Sequence, residues 1–360
     1  MSKPITDMPA SILVSVPNWV GDVVMATAAL RSIRQRFGSS RIVHLMRPYV
    51  GDVLAGTGFA DSDVYWPDRK AKSAPRSTVE LIRRLRRERF DLAVLLTNSF
   101  RSAMVARLAG ANRCVGYARE GRGWLLTDRL KPRVGTDGKF SPVPALDYYN
   151  DVARHLGCDD VSDRLELATK PTDETAIDAR LGAMDSERPL VVLNPGANYG
   201  SAKCWPAEYY AEVADTLIRR HGARVVASLS PTERPIAERL AAAAKEPLEI
   251  FVDPPLGLGP LKALVRRCQL LITNDTGPRH FAAAFDVPVI TVFGSSDPAW
   301  TVTRFARERT VMLNLECQPC MERECPLEHH NCMKELPALM VIAQAAEVLA
   351  GRTMPASARG

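Results

Sequence analysis

The segment Thr273-Asn274-Asp275-Thr276-Gly277-Pro278-Arg279-His280 gathers hydroxyls, a carboxylate, a glycine and an imidazole in one short turn. An apolar run, Leu270 to Ile272, precedes it, and Phe281 to Phe285 follows it. That order predicts a buried strand, a tight loop and a helix start. Asp275 or Thr276 can cap such a helix, and Pro278 suits its first turn. Free backbone N–H groups at a helix start attract anions, phosphate above all. Two readings stand together here: an ordinary capped helix, or a site for a nucleotide or sugar diphosphate.

A second loop has the same grammar. Leu193-Asn194-Pro195-Gly196-Ala197 leads from an apolar run into Asn198 to Ala202, then Lys203, then a helix starting near Pro206. Gly196 and Ala197 let a ligand approach the backbone, and Lys203 adds a point charge near a helix start. A lone surface lysine is the competing reading. A third loop, Ser230 to Arg234, offers Glu233 either to a ribose or sugar hydroxyl or to the first turn of its own helix.

In the first half, Gly21-Asp22 falls where the first strand gives way to a helix. A carboxylate there can take a proton from an attacking hydroxyl, or it can cap the helix. Thr97-Asn98-Ser99-Phe100-Arg101-Ser102 ends another strand. Asn98, Ser99 and the fork of Arg101 suit a phosphate or carboxylate on an acceptor. A cap at Ser99 with a surface arginine is the plainer alternative. The loop Gly116 to Gly123 adds Arg119 and Arg122 for the same acceptor. Neither strand end carries the dinucleotide fingerprint, which argues against a nicotinamide cofactor.

Four of the eight cysteines fall in one window, Cys317, Cys320, Cys325 and Cys332, spaced C-x2-C-x4-C-x6-C. A tetrahedral structural zinc site and free or transiently oxidised thiols are both compatible with it, although no second Cys-x-x-Cys knuckle exists. Stable disulfides are not expected in a reducing compartment. Cys114, Cys158, Cys204 and Cys268 read as packing residues.

The elements that must position these loops alternate. Strands are expected at Ile12 to Val16, Arg41 to Met46 and Asp91 to Leu96, then at Leu190 to Leu193, Ala223 to Leu229, Leu248 to Val252, Leu270 to Thr273 and Val287 to Phe293. Helices are expected from Asp22 to about Phe37, over Val79 to Arg89, from Asp173 to about Met184 and over Glu335 to Ala350, with Lys70 to Ser77 a mobile loop and Gly351 to Gly360 frayed. Strand alternating with helix means α/β architecture with parallel sheets. The pattern restarts after Thr169 to Glu174, so two domains are expected, residues 1–170 and 171–350, with ligand loops facing a cleft between them.

A chain of 360 residues suits two cores. Net charge is +6, split as 27 basic and 18 acidic residues in 1–170 against 20 and 23 in the rest. A basic first half points to a phosphorylated, acidic or membrane-surface partner. The run Arg83-Arg84-Leu85-Arg86-Arg87-Glu88-Arg89 is a solvated helix face or a contact for anionic lipid. No aromatic interleaving supports nucleic acid. No apolar run long enough to span a membrane and no secretory signal is evident, so a cytoplasmic protein is expected.

Val16-Pro17-Asn18-Trp19-Val20-Gly21-Asp22, Thr97 to Ala103, Gly196 to Pro206 and Thr273 to His280, taken in order, resemble the ADP-heptose:lipopolysaccharide heptosyltransferases of glycosyltransferase family 9, type II more than type I. The resemblance runs from about Ile12 to Leu349. It implies a GT-B fold, two Rossmann-like domains, and an inverting transfer of L-glycero-D-manno-heptose from ADP-heptose without a required metal. The implied acceptor is the first heptose of a heptosyl-Kdo-lipid A precursor at the inner face of the inner membrane. By the same resemblance Asp22 matches the general base and Lys203 the residue holding the donor diphosphate. Asp275, Thr276, Gly277 and His280 match the donor loop, and Glu233 a nucleoside contact. The cysteine window and Pro278-Arg279 depart from the family pattern. A sugar-nucleotide 2-epimerase of similar fold and a non-catalytic nucleotide- or metal-binding protein are the alternatives.

Overall fold

The computed structural model describes residues 8–67, 74–136, 140–183, 185 and 187–351. The chain divides into two compact units, Met1–Glu166 and Leu167–Gly360.

The first unit runs β1 (Ser11–Ser15), α1 (Val20–Arg36), β2 (Arg41–Met46), α2 (Pro48–Leu54), β3 (Ser62–Tyr65), α3 (Ala74–Arg87), β4 (Leu92–Leu95), α4 (Phe100–Leu108), β5 (Arg113–Tyr117), β6 (Asp128–Leu130) and α5 (Ala145–His155). Its sheet is parallel, in the order β3-β2-β1-β4-β5-β6. Strands buried on both faces read as continuous apolar runs, as Ile12-Leu13-Val14 and Leu92 to Leu95 do. Leu13, Val43, Ala93 and Leu95 share a core with Leu81 and Leu85 of α3. Those two leucines are buried while Arg83, Arg84, Arg86 and Arg87 are exposed, so α3 is an amphipathic helix with a basic outer face. The expected loop over Lys70 to Ser77 is corrected in part. From Ala74 the chain is already helical, and 70–73 lie outside the described residues.

The second unit runs α6 (Pro171–Leu181), β7 (Leu190–Asn194), α7 (Ala207–His221), β8 (Arg224–Ser228), α8 (Arg234–Ala243), β9 (Glu249–Phe251), α9 (Leu258–Arg267), β10 (Leu270–Asn274), α10 (Gly277–Ala284), β11 (Val289–Val292), β12 (Glu308–Val311), α11 (Asn331–Lys334) and α12 (Ala338–Leu349). Its parallel sheet is ordered β12-β11-β10-β7-β8-β9. Read from the other edge, this is the strand order of the first unit. The helix expected to run to about Met184 ends at Leu181, where Gly182 takes a positive φ of 61° as its C-cap, while Met184 itself and the tail from 352 lie outside the described residues. Trp205, Tyr210 and Leu217 of the α7 region pack with Leu336, Val341 and Ala345 in one core. Cys317, Cys320 and Cys325 lie on the excursion between β12 and α11, and Cys332 lies in α11.

In each sheet the strand order reverses between the first and fourth strand of the unit. Open α/β sheets bind ligands outside the carboxyl ends of the strands at such a reversal. The loops after β1 and β4, and those after β7 and β10, occupy these positions.

Candidate functional site

In the first unit, α1 starts at Val20 with Trp19 in the capping position, and no side chain closes the cap. Asp22 is therefore the third helical residue, and its expected capping role is corrected. Its carboxylate instead accepts a hydrogen bond from the Tyr149 hydroxyl of α5, 3.2 Å away. Burial pushes the Asp22 carboxyl up to about 6, against a smaller downward pull from that phenol. Burial, and then the charge of Asp22, holds the Tyr149 phenol well above its ordinary value, so it stays protonated and donates. A partly buried carboxylate tuned near neutrality is the profile of a general base.

The loop after β4 meets this group through aromatic rings. Tyr148 stands edge-on to Tyr149 with ring centres 6.0 Å apart, and it stacks on Tyr117 at 3.7 Å. Its hydroxyl donates to Asn98 Oδ1 at 2.8 Å. Ser99 caps α4 by accepting from Ser102 N at 3.2 Å, the plainer of its two readings. The Arg101 guanidinium donates to Thr78 Oγ1 at 2.8 Å and lies over the Trp66 ring at 5.0 Å, which ties α4 to α3. Arg119 lies over the Phe140 ring at 4.0 Å.

Arg122 departs from expectation. Its side chain is fully buried, and its guanidinium donates to the carbonyls of Tyr117 and Thr97 and, at 3.4 Å, to Asn98 Oδ1. Gly116 makes the room, since a Cβ there would stand 3.2 Å from Arg122 Nη2. Direct acceptor binding by Arg122 is corrected to a scaffolding role. The groups that would meet water are spent on strand-end carbonyls, and the residue holds Asn98 in place.

In the second unit, Lys203 Nζ lies 2.5 Å from Asp275 Oδ2. Asp275 is buried and also accepts from Arg279 Nη1 and Ser296 Oγ, both at 2.7 Å. Arg279 pairs in turn with Glu308 at 2.9 Å. Burial alone would raise the Asp275 carboxyl. The Arg279 and Lys203 charges, with bonds from Lys203 and Ser296, outweigh burial and hold it far below the carboxylate range. Asp275 is therefore an ionised anchor that aims Lys203.

Thr276 holds the N-cap position of α10, but its hydroxyl turns to Thr273 Oγ1 at 3.1 Å and does not cap. The expected side-chain cap is corrected, and the first-turn N–H groups keep their pull on an anion. His280 is buried. Burial, then the Arg279 charge, holds its imidazole well below the ordinary value, so it is neutral. Its Nδ1 has no partner among the described residues.

Glu233 accepts from Ser230 N at 2.8 Å, closing a capping box. It also lies against Gly196, where a Cβ would come within 2.0 Å of its Oε1. So the loops carrying Gly196, Ala197 and Glu233 are neighbours, and glycine is what permits it. Lys203, meanwhile, ends a short 3₁₀ turn, Ser201–Lys203.

Two residues central to this geometry stood out less in the sequence. Tyr149 has ordinary helical core spacing, and only its place beside Asp22 gives it a role. Asn274 is fully buried and donates to the carbonyls of Pro195 at 2.7 Å and Gly196 at 3.2 Å. Its Oδ1 accepts from Trp205 N at 3.2 Å and the Tyr210 hydroxyl at 3.0 Å. It therefore holds both ends of the Lys203 loop. An amide at a strand end in an otherwise apolar run was the available signal.

The four window thiols are free, and with His329, His330 and Ser295 they line a cavity of about 20 Å³. Among the described residues no group of three or more Cys, His, Asp or Glu side chains converges as metal ligands do.

A family model described as glycosyltransferase family 9 (heptosyltransferase) matches residues 78–331. The lipopolysaccharide heptosyltransferase 2 of Salmonella typhimurium is 29% identical, over 84% of this chain and 88% of that protein. The lipooligosaccharide heptosyltransferase 2 of Campylobacter jejuni is 27% identical, over 94% and 98%. In fold the chain is similar to the solved E. coli ADP-heptose lipopolysaccharide heptosyltransferase II, with a TM-score of 0.78 and 24% identity over 96% of this chain and all of that one.

Proposed function

From the premise that this chain belongs to glycosyltransferase family 9, the heptosyltransferases, we propose that it moves L-glycero-D-manno-heptose from ADP-heptose to the first heptose of the lipopolysaccharide inner core. It is an enzyme of the glycosyltransferase class. The names of the relatives, heptosyltransferases of lipooligosaccharide and lipopolysaccharide, favour heptose transfer over the epimerase and the non-catalytic alternatives.

In this reading Asp22 takes the proton from the acceptor hydroxyl, whose oxygen attacks the anomeric carbon. ADP departs from the opposite side and the configuration inverts. Lys203 and the first-turn N–H groups of α10 meet the charge that develops on the diphosphate, a role that preorganised cations and dipoles fill without a metal. Glu233 and the Gly196-Ala197 backbone face the nucleoside. Asn98 and Arg119, steadied by Arg122, serve the acceptor. The observation that carries the chemistry is Asp22: a partly buried carboxylate at a strand-order reversal, pushed up to about 6 and given one phenolic donor.

No helix among the described residues is long and apolar enough to cross a membrane. For a lipid-linked acceptor, the exposed arginines of α3 supply a surface for anionic headgroups at the cytoplasmic side of the inner membrane. The decisive experiment incubates purified protein with ADP-heptose and a defined heptosyl-Kdo2-lipid A. ADP release with a mass gain of one heptose on the acceptor is expected. No ADP release overturns the proposal.

A further inference from the structure

Arg323 is exposed and forms no ion pair among the described residues. Its guanidinium carbon lies 5.0 Å from the centre of the Tyr199 ring, and Lys203 Nζ lies 4.8 Å from the same centre. One ring thus carries two cations.

The backbone brings Arg323 to this place. Ala202 N donates to the Arg323 carbonyl at 3.0 Å, and Met321 N donates to Ser295 O at 2.7 Å. The Tyr199 hydroxyl donates to Met321 O at 2.9 Å. His330 Nε2 lies 3.2 Å from Ala202 O. At Gly200 a Cβ would stand 2.2 Å from the Arg323 carbonyl oxygen, so only glycine permits the approach. Cys320 and Cys325 bracket the arginine, and the thiol-lined cavity shapes the bend that carries it. The window is fastened onto the very turn that ends in Lys203.

Charge decides what the arrangement is for. Lys203 and Arg279 are matched by Asp275 and Glu308, so that buried group is balanced. A diphosphate brings more than one negative charge to it. The cation that shares the Tyr199 ring with Lys203, and forms no ion pair among the described residues even with its neighbours Glu322 and Glu324, is Arg323, and two cations on one ring repel until an anion joins them. We propose that Arg323 is a second cationic arm for the donor diphosphate, delivered beside Lys203 by the cysteine-rich window. This rests on the donor-loop reading of Lys203. The planar fork of the guanidinium suits two phosphate oxygens at once, as a lysine does not.

Calorimetric titration of the full-length protein with ADP and with adenosine tests it, using wild type, Arg323→Ala, Arg323→Lys and Lys203→Ala. Arg323→Ala is expected to weaken ADP binding about ten- to a hundredfold, as loss of a charge-assisted contact does, with adenosine binding unchanged. Arg323→Lys recovers part of the loss. In turnover, the donor KM rises more than kcat falls. ADP binding by Arg323→Ala within twofold of wild type, while Lys203→Ala is weakened, overturns the proposal and leaves the donor-loop reading intact. An equal loss for adenosine shows that the turn itself has moved, and also overturns it. If neither variant changes ADP affinity, the donor-loop reading falls and this proposal with it.

Discussion

Lys203 Nζ and Asp275 Oδ2 stand 2.5 Å apart, and this pair joins the loop after β7 to the start of α10. Neither partner is accessible enough to be a loose surface ion, so the lysine points where the carboxylate sends it.

Replacing Asp275 with Asn leaves Lys203 and Arg279 short of their counter-charge in a buried setting. A loss of about 3–5 kcal/mol in unfolding free energy is expected, since breaking one side of a buried pair strands the other. ADP affinity falls with it. The depressed carboxyl also sets a pH signature. Its stabilisation is complete above the ordinary carboxylate value of 3.8 and is lost as pH falls toward the native value. Denaturant melts at stepped pH should show that acid loss in wild type and a flatter response in the variant.

On the proposed reading, Asp22→Asn removes the base while Lys203, Asp275 and the start of α10 keep their contacts. The expected result is a fall in kcat of about 10²- to 10⁴-fold, with ADP affinity unchanged. Because folding raises this carboxyl from 3.8 to about 6, its favourable contribution is complete below 3.8 and lost as pH rises through 6. At pH 7.5 the ionised group costs stability, so the Asn variant should melt higher than wild type, by up to about 3 kcal/mol in free energy. Full retained activity would mean that the proton leaves by another route.

Tyr149→Phe takes away the phenolic donor that favours the charged form of Asp22. The acidic limb of the kcat/KM profile, set near 6 in wild type, should move up by about half to one pH unit. At high pH, where Asp22 is ionised in both proteins, the rates should converge. A pH–rate profile that does not move assigns Tyr149 to packing alone.

The α/β alternation and the positions of eight strands were legible because double burial leaves continuous apolar runs, as at Leu190 to Leu193 and Leu270 to Thr273. Short edge strands were not. β3, Ser62–Tyr65, is largely exposed, and β6, Asp128–Leu130, has three residues, so neither carries a periodic signal. The loops around Gly196, Lys203 and Thr276 were legible because glycine, hydroxyl and lysine cluster in sequence. The direction of a side chain was not. Nothing in Gly121-Arg122-Gly123 tells that the guanidinium turns inward, and nothing around Thr276 tells that its hydroxyl prefers Thr273 to the helix end. Asp22 was read at the passage from first strand to first helix, but the turn that precedes it starts the helix three residues earlier than a cap at Asp22 would need.

If α3 is the lipid-facing surface, Arg83→Ala with Arg87→Ala should weaken binding to vesicles containing phosphatidylserine by about 2 kcal/mol, roughly thirtyfold, and the remainder should fade with salt. Both side chains are exposed, so folding should be unaffected. Vesicle co-sedimentation reads the effect. Turnover of a detergent-dispersed acceptor is the control and should stay at the wild-type rate.

The two sheets share one strand order, yet the same topological slot is filled by a carboxylate in one unit and by cation-bearing loops in the other. On the proposed reading, mutations that alter which sugar nucleotide is accepted arise on one stretch of chain, and mutations that alter which acceptor is accepted arise on another. On that reading natural selection can adjust the two preferences separately, and a lineage can change the sugars it builds without relearning how to hold its activated precursor.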